Sequence, residues 1–214
     1  MKFFRNWGQP PFLKDIAAVF ARRIIKFGET PAGVLWKDGD GQQLRFEVLA
    51  GILDDLPPSA PISINDFGCG YGALFEFLNT LPKAPELTYT GYDICEEMIH
   101  TAWHRVHDRR ATFIEASNTD HAADFTFVSG TYNLKLLIEN EPWNAYVKSS
   151  LTGLWEMTQK GLAFNMLDIN HPEQGDGLYY ADSEEFMDFC RGLSTNVTLI
   201  DDYPLHEWTI FVRR

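Results

Sequence analysis

The stretch Ile64–Leu78 reads "INDFGCGYGALFEFL". The run "ISINDF" (62–67) stops at three glycines, Gly68, Gly70 and Gly72, on alternate positions, and "ALFEFLNTL" follows with helical character. Strand, glycine loop, helix is the first turn of a doubly wound sheet, where ligands sit beyond the carboxyl ends of the strands. Glycine allows positive φ there and removes the Cβ that would hold a ligand off. The helix that opens next presents free N–H groups. The glycines alone do not choose the ligand, because Gly68 to Ala73 also satisfies the dinucleotide pattern G-x-G-x-x-G/A. Two acids narrow the choice. Asp66 stands two residues before Gly68, where a carboxylate can meet a cationic amino group and a pyrophosphate would gain nothing. Asp93 closes the next strand in "YTGYDICEEMI", where an acid can accept hydrogen bonds from both ribose hydroxyls.

Working outward, residues 12–27, "FLKDIAAVFARRIIKF", carry apolar side chains at helical spacing and predict an amphipathic helix ended by Gly28. A loop over 29–41 and a second helix over 42–55 lead to "LPPSAP". Beyond the glycines, "LTYTGYD", "ATFIEA", "DFTFVSG" and "GLAFNML" read as strands. "EEMIHTAWHRV", "PWNAYVKSSLTGLWEMTQ" and "SEEFMDFCRG" read as helices, the last with Asp182 as N-cap and Glu185 closing a capping box. "NVTLIDDY" and "HEWTIFVRR" finish the chain as two strands with only a short turn between them. A parallel crossover needs a dozen or more residues, so this pair is antiparallel. The expected fold is α/β: a doubly wound, mostly parallel seven-stranded sheet with a C-terminal antiparallel strand. A helical cap over 1–60 and the sheet domain over 61–214 form one structural unit.

Composition removes several classes. The 214 residues carry a net charge of −12, which repels a phosphate backbone and disfavours bulk nucleic acid. No apolar run is long enough for a membrane span, and "MKFFRNWGQPPF" lacks the apolar core of a leader. Cys69, Cys95 and Cys190 are scattered, which points to a reduced, cytoplasmic protein without a disulfide framework or zinc site. The basic groups Arg22, Arg23, Lys26 and Arg105, Arg109, Arg110 read as solvated helix faces.

"DFGCGYG" followed by "GYDICEEMI" resembles the first two motifs of class I S-adenosylmethionine-dependent methyltransferases, over roughly 62–214. That Rossmann-like family also ends its sheet in an antiparallel strand and has a variable N-terminal cap. The resemblance implies S-adenosylmethionine as donor, S-adenosylhomocysteine as product and a small-molecule acceptor. It implies that Asp66, Gly68, Cys69 and Gly70 approach the methionyl part and that Gly72 opens the following helix. It places Asp93 on the ribose hydroxyls and Ile94 and Met98 near the adenine. Ala116 and Ser117, at the end of "FIEAS", would flank the adenine, although many relatives have aspartate where Ser117 stands. Ser129 and Gly130 would give backbone contacts near the donor sulfur. Arg45 in "GQQLRFEVL" is the candidate for the donor carboxylate, and Tyr132 and Asn133 are candidates on the acceptor side. No general base is assigned. Two other readings compete: an NAD(P)-dependent oxidoreductase on the same glycine pattern, and a non-catalytic adenosylmethionine-binding module.

His100, His104 and His107 share a helix face. Met98, Ile99, Ala102, Trp103 and Val106 form the opposite, buried face, so the histidines face water and no metal is expected. The chain has no G-x-S-x-G elbow, no P-loop lysine and no Asn-Pro-Pro-Tyr segment after the fourth strand. Asn165 interrupts an apolar strand near its end, with Asp168 beyond it, and reads as part of a hydrogen-bonded strand end. The loop "NHPEQGDGLYY" (170–180) joins the N-terminal helices as a candidate lid.

Overall fold

The computed structural model describes residues 10–57, 60–81 and 86–214, so the reading of residues 1–12 as free of a leader falls mainly outside them. The chain begins with α1 (Phe12–Phe27), a 3-10 turn (Pro31–Val34), α2 (Gly39–Ala50) and a second 3-10 turn (Gly51–Leu53). Then come β1 (Ile62–Phe67), α3 (Ala73–Thr80), β2 (Leu87–Asp93), α4 (Glu96–Arg105), β3 (Ala111–Glu115) and β4 (Ala123–Ser129). It closes with α5 (Asn140–Glu156), β5 (Thr158–Asp168), β6 (Tyr180–Ala181), α6 (Ser183–Arg191), β7 (Asn196–Ile200) and β8 (Glu207–Arg213).

The sheet order is β3-β2-β1-β4-β5-β8-β7. Its pairs are parallel except those made by β8, which runs antiparallel to both β5 and β7. The two-residue β6 adds an eighth strand beside the end of β5, pairing Leu167 with Tyr180 and Asp168 with Ala181. It starts at Tyr180, the last residue of the stretch expected as a lid loop, and two residues are too short to show a strand period. The order reverses direction at β1 and β4, and the glycine loop leaves the end of β1 at that switch point.

Alternation along the strands divides the core in two. Ile62 and Ile64 of β1, Leu87 and Tyr89 of β2 and Phe125 and Phe127 of β4 pack with α2, α3 and α4. Phe67, Tyr92, Val128, Phe164 and Trp208 belong to the opposite face, against α1, α5 and α6. The period of two along each strand lets one parallel sheet serve both layers. Trp143 and Trp208 are almost fully buried. Each has its indole N–H satisfied, by the Tyr132 and Ala181 carbonyls respectively.

The connection from β3 to β4 has no helix. Ala116–Ala122 must pass from the end of β3, across β2 and β1, to the start of β4. Seven extended residues reach about 23 Å, and three strand spacings alone take about 14 Å, so the segment has to be stretched. Side chains of the crossed strands hold it down: Tyr92 donates to Asp120 Oδ1 (2.9 Å) and Asn65 donates to the His121 carbonyl (2.8 Å).

Two local expectations change. Asp182 caps α6 by accepting from the Glu184 N–H, but Glu185 closes no capping box. Its carboxylate instead accepts from Asn144 and Lys148 of α5, fastening the two helices. Trp103 is half exposed rather than buried, with its ring edge-on to Phe113 and its N–H donated to the Phe113 carbonyl. Among the described residues, no helix is long and apolar enough to cross a membrane, and no histidine, cysteine and carboxylate cluster could hold a metal.

Candidate active site

A cleft of about 940 Å³, its open mouth included, lies over the ends of β1, β2 and β4. The glycine loop forms its floor. Gly68, Gly70 and Gly72 all have positive φ, at 81°, 52° and 85°. The loop's N–H groups are largely engaged within the protein. Those of Gly68 and Cys69 reach the Tyr92 carbonyl (2.7 and 3.0 Å), that of Gly72 the Cys69 carbonyl, and that of Gly70 Asp93 Oδ2 (2.9 Å). What the loop offers a ligand is therefore bare backbone more than free donors. A Cβ on Gly68 would collide with Thr131, whose hydroxyl donates to the Phe67 carbonyl. A Cβ on Gly72 would press on Phe113 and Val106, so Gly72 opens α3 and lets helix and strand close up; it does not line the cleft.

Two carboxylates face this floor. Asp66 is buried at the end of β1 and accepts a short hydrogen bond from Tyr89 on one oxygen, while Oδ1 has no partner. Burial raises its carboxyl to about 7; the Tyr89 hydrogen bond opposes that, and the charge of Asp93 adds to it. Asp93 accepts the N–H groups of Gly70 and Cys95, both at 2.9 Å, and so ties the glycine loop to the start of α4. Burial raises it to about 6, moderated by backbone hydrogen bonds from Cys95, Gly70 and Ile94. Each carboxylate oxygen keeps a lone pair beyond these bonds. Burial also pushes the Cys69 thiol well up, which fits a small packing residue and not a nucleophile.

Of the residues selected from the sequence, Asp66, Gly68, Cys69, Gly70, Asp93, Ile94, Met98, Ala116, Ser129, Gly130 and Tyr132 line this one cleft. Arg45 does not. Its guanidinium forms a two-pronged ion pair with Glu207 and stacks on Trp36, with 3.9 Å between Cζ and the ring centroid, so it is not free for a donor carboxylate. Ser117 and Asn133 also lie off the lining. Ser117 belongs to the stretched crossover, and Asn133 is turned behind the β4 loop, its carbonyl accepting from Tyr179 N–H. Asn165 bonds to Gly130 N–H (2.9 Å) and Glu207 (2.7 Å).

Much of the opposite wall is built from residues outside the two motifs. Leu13, Ile16 and Phe20 reach in from α1, Gln42 and Phe46 from α2, and Trp143 and Tyr146 from α5. Tyr71 also lines the cleft, its hydroxyl on Gln42 Oε1 (3.1 Å). Tyr71 stands inside the "GCGYG" motif and could have been named from it. Apart from Gln42, the others are apolar or aromatic residues on helices, indistinguishable in sequence from core.

Comparison with known proteins settles the family. A methyltransferase-domain model matches residues 65–141. A Mycobacterium tuberculosis protein named as a methyltransferase, Rv1506c, is 39% identical over 158 residues, 72% of this chain and 94% of the relative. The chain belongs to the class I S-adenosylmethionine-dependent methyltransferases. The fold is shared with magnesium protoporphyrin IX methyltransferase (ChlM) from Synechocystis PCC 6803, solved with S-adenosylmethionine bound. That match has a TM-score of 0.60 and 13% identity, over 98% of this chain and 86% of the other. The DhpI complex with S-adenosylhomocysteine matches with a TM-score of 0.66 at 11% identity, over 94% and 96% of the two chains. The plantazolicin methyltransferase BpumL, also with S-adenosylhomocysteine, matches at 0.57 and 16%, over 94% and 97%. The oxidoreductase reading gains no support. This methyltransferase therefore uses S-adenosylmethionine as donor and releases S-adenosylhomocysteine. Its cleft fits that donor chemically: two buried polar atoms of the lining, Asp66 Oδ1 and Ser129 Oγ, have no protein partner, and the two acids suit a cationic ligand.

Proposed function

We propose that this methyltransferase acts on a small-molecule acceptor in the cytoplasm, by in-line transfer within the cleft. The supporting observation is the make-up of the wall away from the carboxylates: Leu13, Ile16, Phe20, Trp36, Tyr132, Trp143 and Tyr146 enclose it with apolar and aromatic surface. Such a chamber suits a compact, largely apolar acceptor. S-adenosylmethionine supplies an already activated methyl group. In this reading Asp66 receives the donor's amino group on its free oxygen and Asp93 receives the ribose hydroxyls. Ile94, Met98 and Ala116 enclose the adenine, and the Ser129–Gly130 backbone borders the sulfur. The protein's contribution to rate is then alignment of the reacting atoms and exclusion of water. Tyr132 is committed to Ser150 (2.7 Å), and burial pushes the Tyr146 hydroxyl up to about 12, so both serve as walls and not as bases.

Calorimetry with S-adenosylmethionine, S-adenosylhomocysteine and NAD tests the donor assignment. Mass spectrometry after incubation with methyl-labelled donor and fractionated extract tests the acceptor: label in the low-mass fraction is expected, and label confined to macromolecules would overturn the small-molecule reading.

A further inference from the structure

A chain of buried polar groups runs from the cap to the β4 loop. The Gly130 N–H donates to Asn165 Oδ1 at 2.9 Å. Asn165 Nδ2 donates to Glu207 Oε2 at 2.7 Å. Glu207, 3% exposed on β8, receives Arg45 Nε on both oxygens at 2.9 Å and Arg45 Nη2 on Oε1. Arg45 rides on α2, the helix that also brings Gln42 and Phe46 to the cleft. The far end of the chain returns to its start through Trp36. The Arg45 guanidinium stacks on the indole, and a Cβ on Gly130 would overlap the same ring. Leu35, held at φ 67°, makes the left-handed turn that delivers Trp36, whose N–H bonds back to the Pro31 carbonyl (2.8 Å).

The ring is directional. Asn165 satisfies both neighbours in only one amide orientation, and Glu207 must be an acceptor towards both Asn165 and Arg45. Gluing a cap to a sheet does not need a buried charge, since an apolar pair does that without the desolvation cost. This ion pair reaches two lining elements, Trp36 directly through Arg45 and the Gly130 peptide through Asn165. We propose that Arg45, Glu207 and Asn165 are positioning residues that dock the cap and fix Trp36 and Gly130 as one wall of the methyl-transfer position. The inference rests on the reading of this cleft as the transfer site.

Swapping amide and carboxylate tests it. Glu207→Gln alone leaves two donors facing each other somewhere along the chain, and Asn165→Asp alone leaves two acceptors facing. The double variant restores the match between 165 and 207 and keeps Gly130 N–H and Arg45 on acceptors, giving up only the second arm of the Arg45 Nε bond, the one to Oε2. Transfer is measured from methyl-labelled S-adenosylmethionine into a protein-free extract. Each single variant should lose at least about tenfold in rate, and the double variant should recover to within about threefold, as sub-ångström misplacement of a reacting group predicts. Affinity for S-adenosylhomocysteine should stay within about threefold throughout. Acrylamide quenching assigned to Trp36, by difference from Trp36→Phe, should rise in the single variants and return in the double. Single variants with wild-type rate and quenching would overturn the proposal, as would a double variant as slow as either single. Product affinity falling in step with rate would also overturn it, by showing a general loss of structure. If the single variants do not fold, Trp36→Leu decides: it removes the stacking partner of Arg45 but none of the hydrogen bonds among Gly130, Asn165, Glu207 and Arg45, and it should slow transfer while keeping product affinity; an unchanged rate refutes the role. Failure of the wild type to bind S-adenosylhomocysteine would strike the underlying reading, while the quenching arm would still decide the chain.

Discussion

Lowering the pH from 8 to 6 should weaken product binding by about tenfold through Asp66 alone, and the size follows from its surroundings. Asp66 is cut off from water, shares one oxygen with Tyr89 and leaves Oδ1 without a partner, and its carboxyl rises to about 7. If Oδ1 receives the ligand's ammonium group, only the ionised form binds well. With a value near 7 the ionised fraction is about 0.9 at pH 8 and about 0.09 at pH 6, and apparent affinity scales with that fraction. The ratio is about tenfold, or about 1.4 kcal/mol. Asp93, near 6, adds about a further factor of two over the same interval. S-adenosylhomocysteine is the suitable probe, because it keeps the amino group and ribose without reacting. Calorimetry at pH 7 in buffers of differing ionisation enthalpy should show release of about half a proton from Asp66. Asp66→Asn should flatten most of the pH profile. The sign for stability is opposite. Both carboxyls have folded-state values above the ordinary 3.8. The stability they contribute is complete below that value and is lost as the pH rises through about 6 and about 7. These two groups therefore lower the melting temperature of the ligand-free protein between pH 5 and 8, and saturating S-adenosylhomocysteine opposes the fall. A dissociation constant that stays within about twofold from pH 6 to 8, with no proton released, would refute the reasoning.

Four other outcomes are expected. Tyr89→Phe removes the hydrogen bond that holds Asp66 down, so the midpoint of the affinity–pH curve should move to higher pH. Gly68→Ala should cost about 2–3 kcal/mol in urea denaturation, from the collision with Thr131 and the left-handed backbone, and Thr131→Ala in the same chain should recover part of it. Arg45→Met should cost about 3–5 kcal/mol by stranding the buried Glu207 charge, with affinity for S-adenosylhomocysteine unchanged, since Arg45 does not line the cleft. Cys69→Ala should leave that affinity within about threefold, and the native thiol should resist iodoacetamide, because its burial keeps it protonated.

What the sequence disclosed was local. The glycine loop, Asp66 and Asp93 lie within thirty residues of one another, and their spacing carries their geometry. The alternation of strands and helices, with a terminal pair too close for a parallel crossover, gave the sheet its sense and its antiparallel strand. The same crossover rule misleads at β3 and β4. Seven residues separate them, too few by that rule for a parallel connection, yet they lie on opposite sides of β1 and β2 in parallel sense. Only the partners on the crossed strands, Tyr92 for Asp120 and Asn65 for the His121 carbonyl, explain how so short a link is held. Neither contact has a sequence signature.

Arg45 shows the same limit at the site. On a cap helix it looked like a free cation for an anionic ligand. Its partner stands 162 residues away, on the strand that closes the sheet. A cation's role depends on which acid reaches it first, and that is decided by topology: β8 inserts between β5 and β7 and brings Glu207 under α2. With Arg45 neutralised there, the described lining of the cleft contains acids, aromatics and no lysine, arginine or histidine. The antiparallel strand that helped to identify the fold thus also shapes the electrostatics of the site. By pairing this cap arginine with Glu207, it leaves Asp66 and Asp93 to be balanced by the ligand, which is why their titration should report donor and product binding directly.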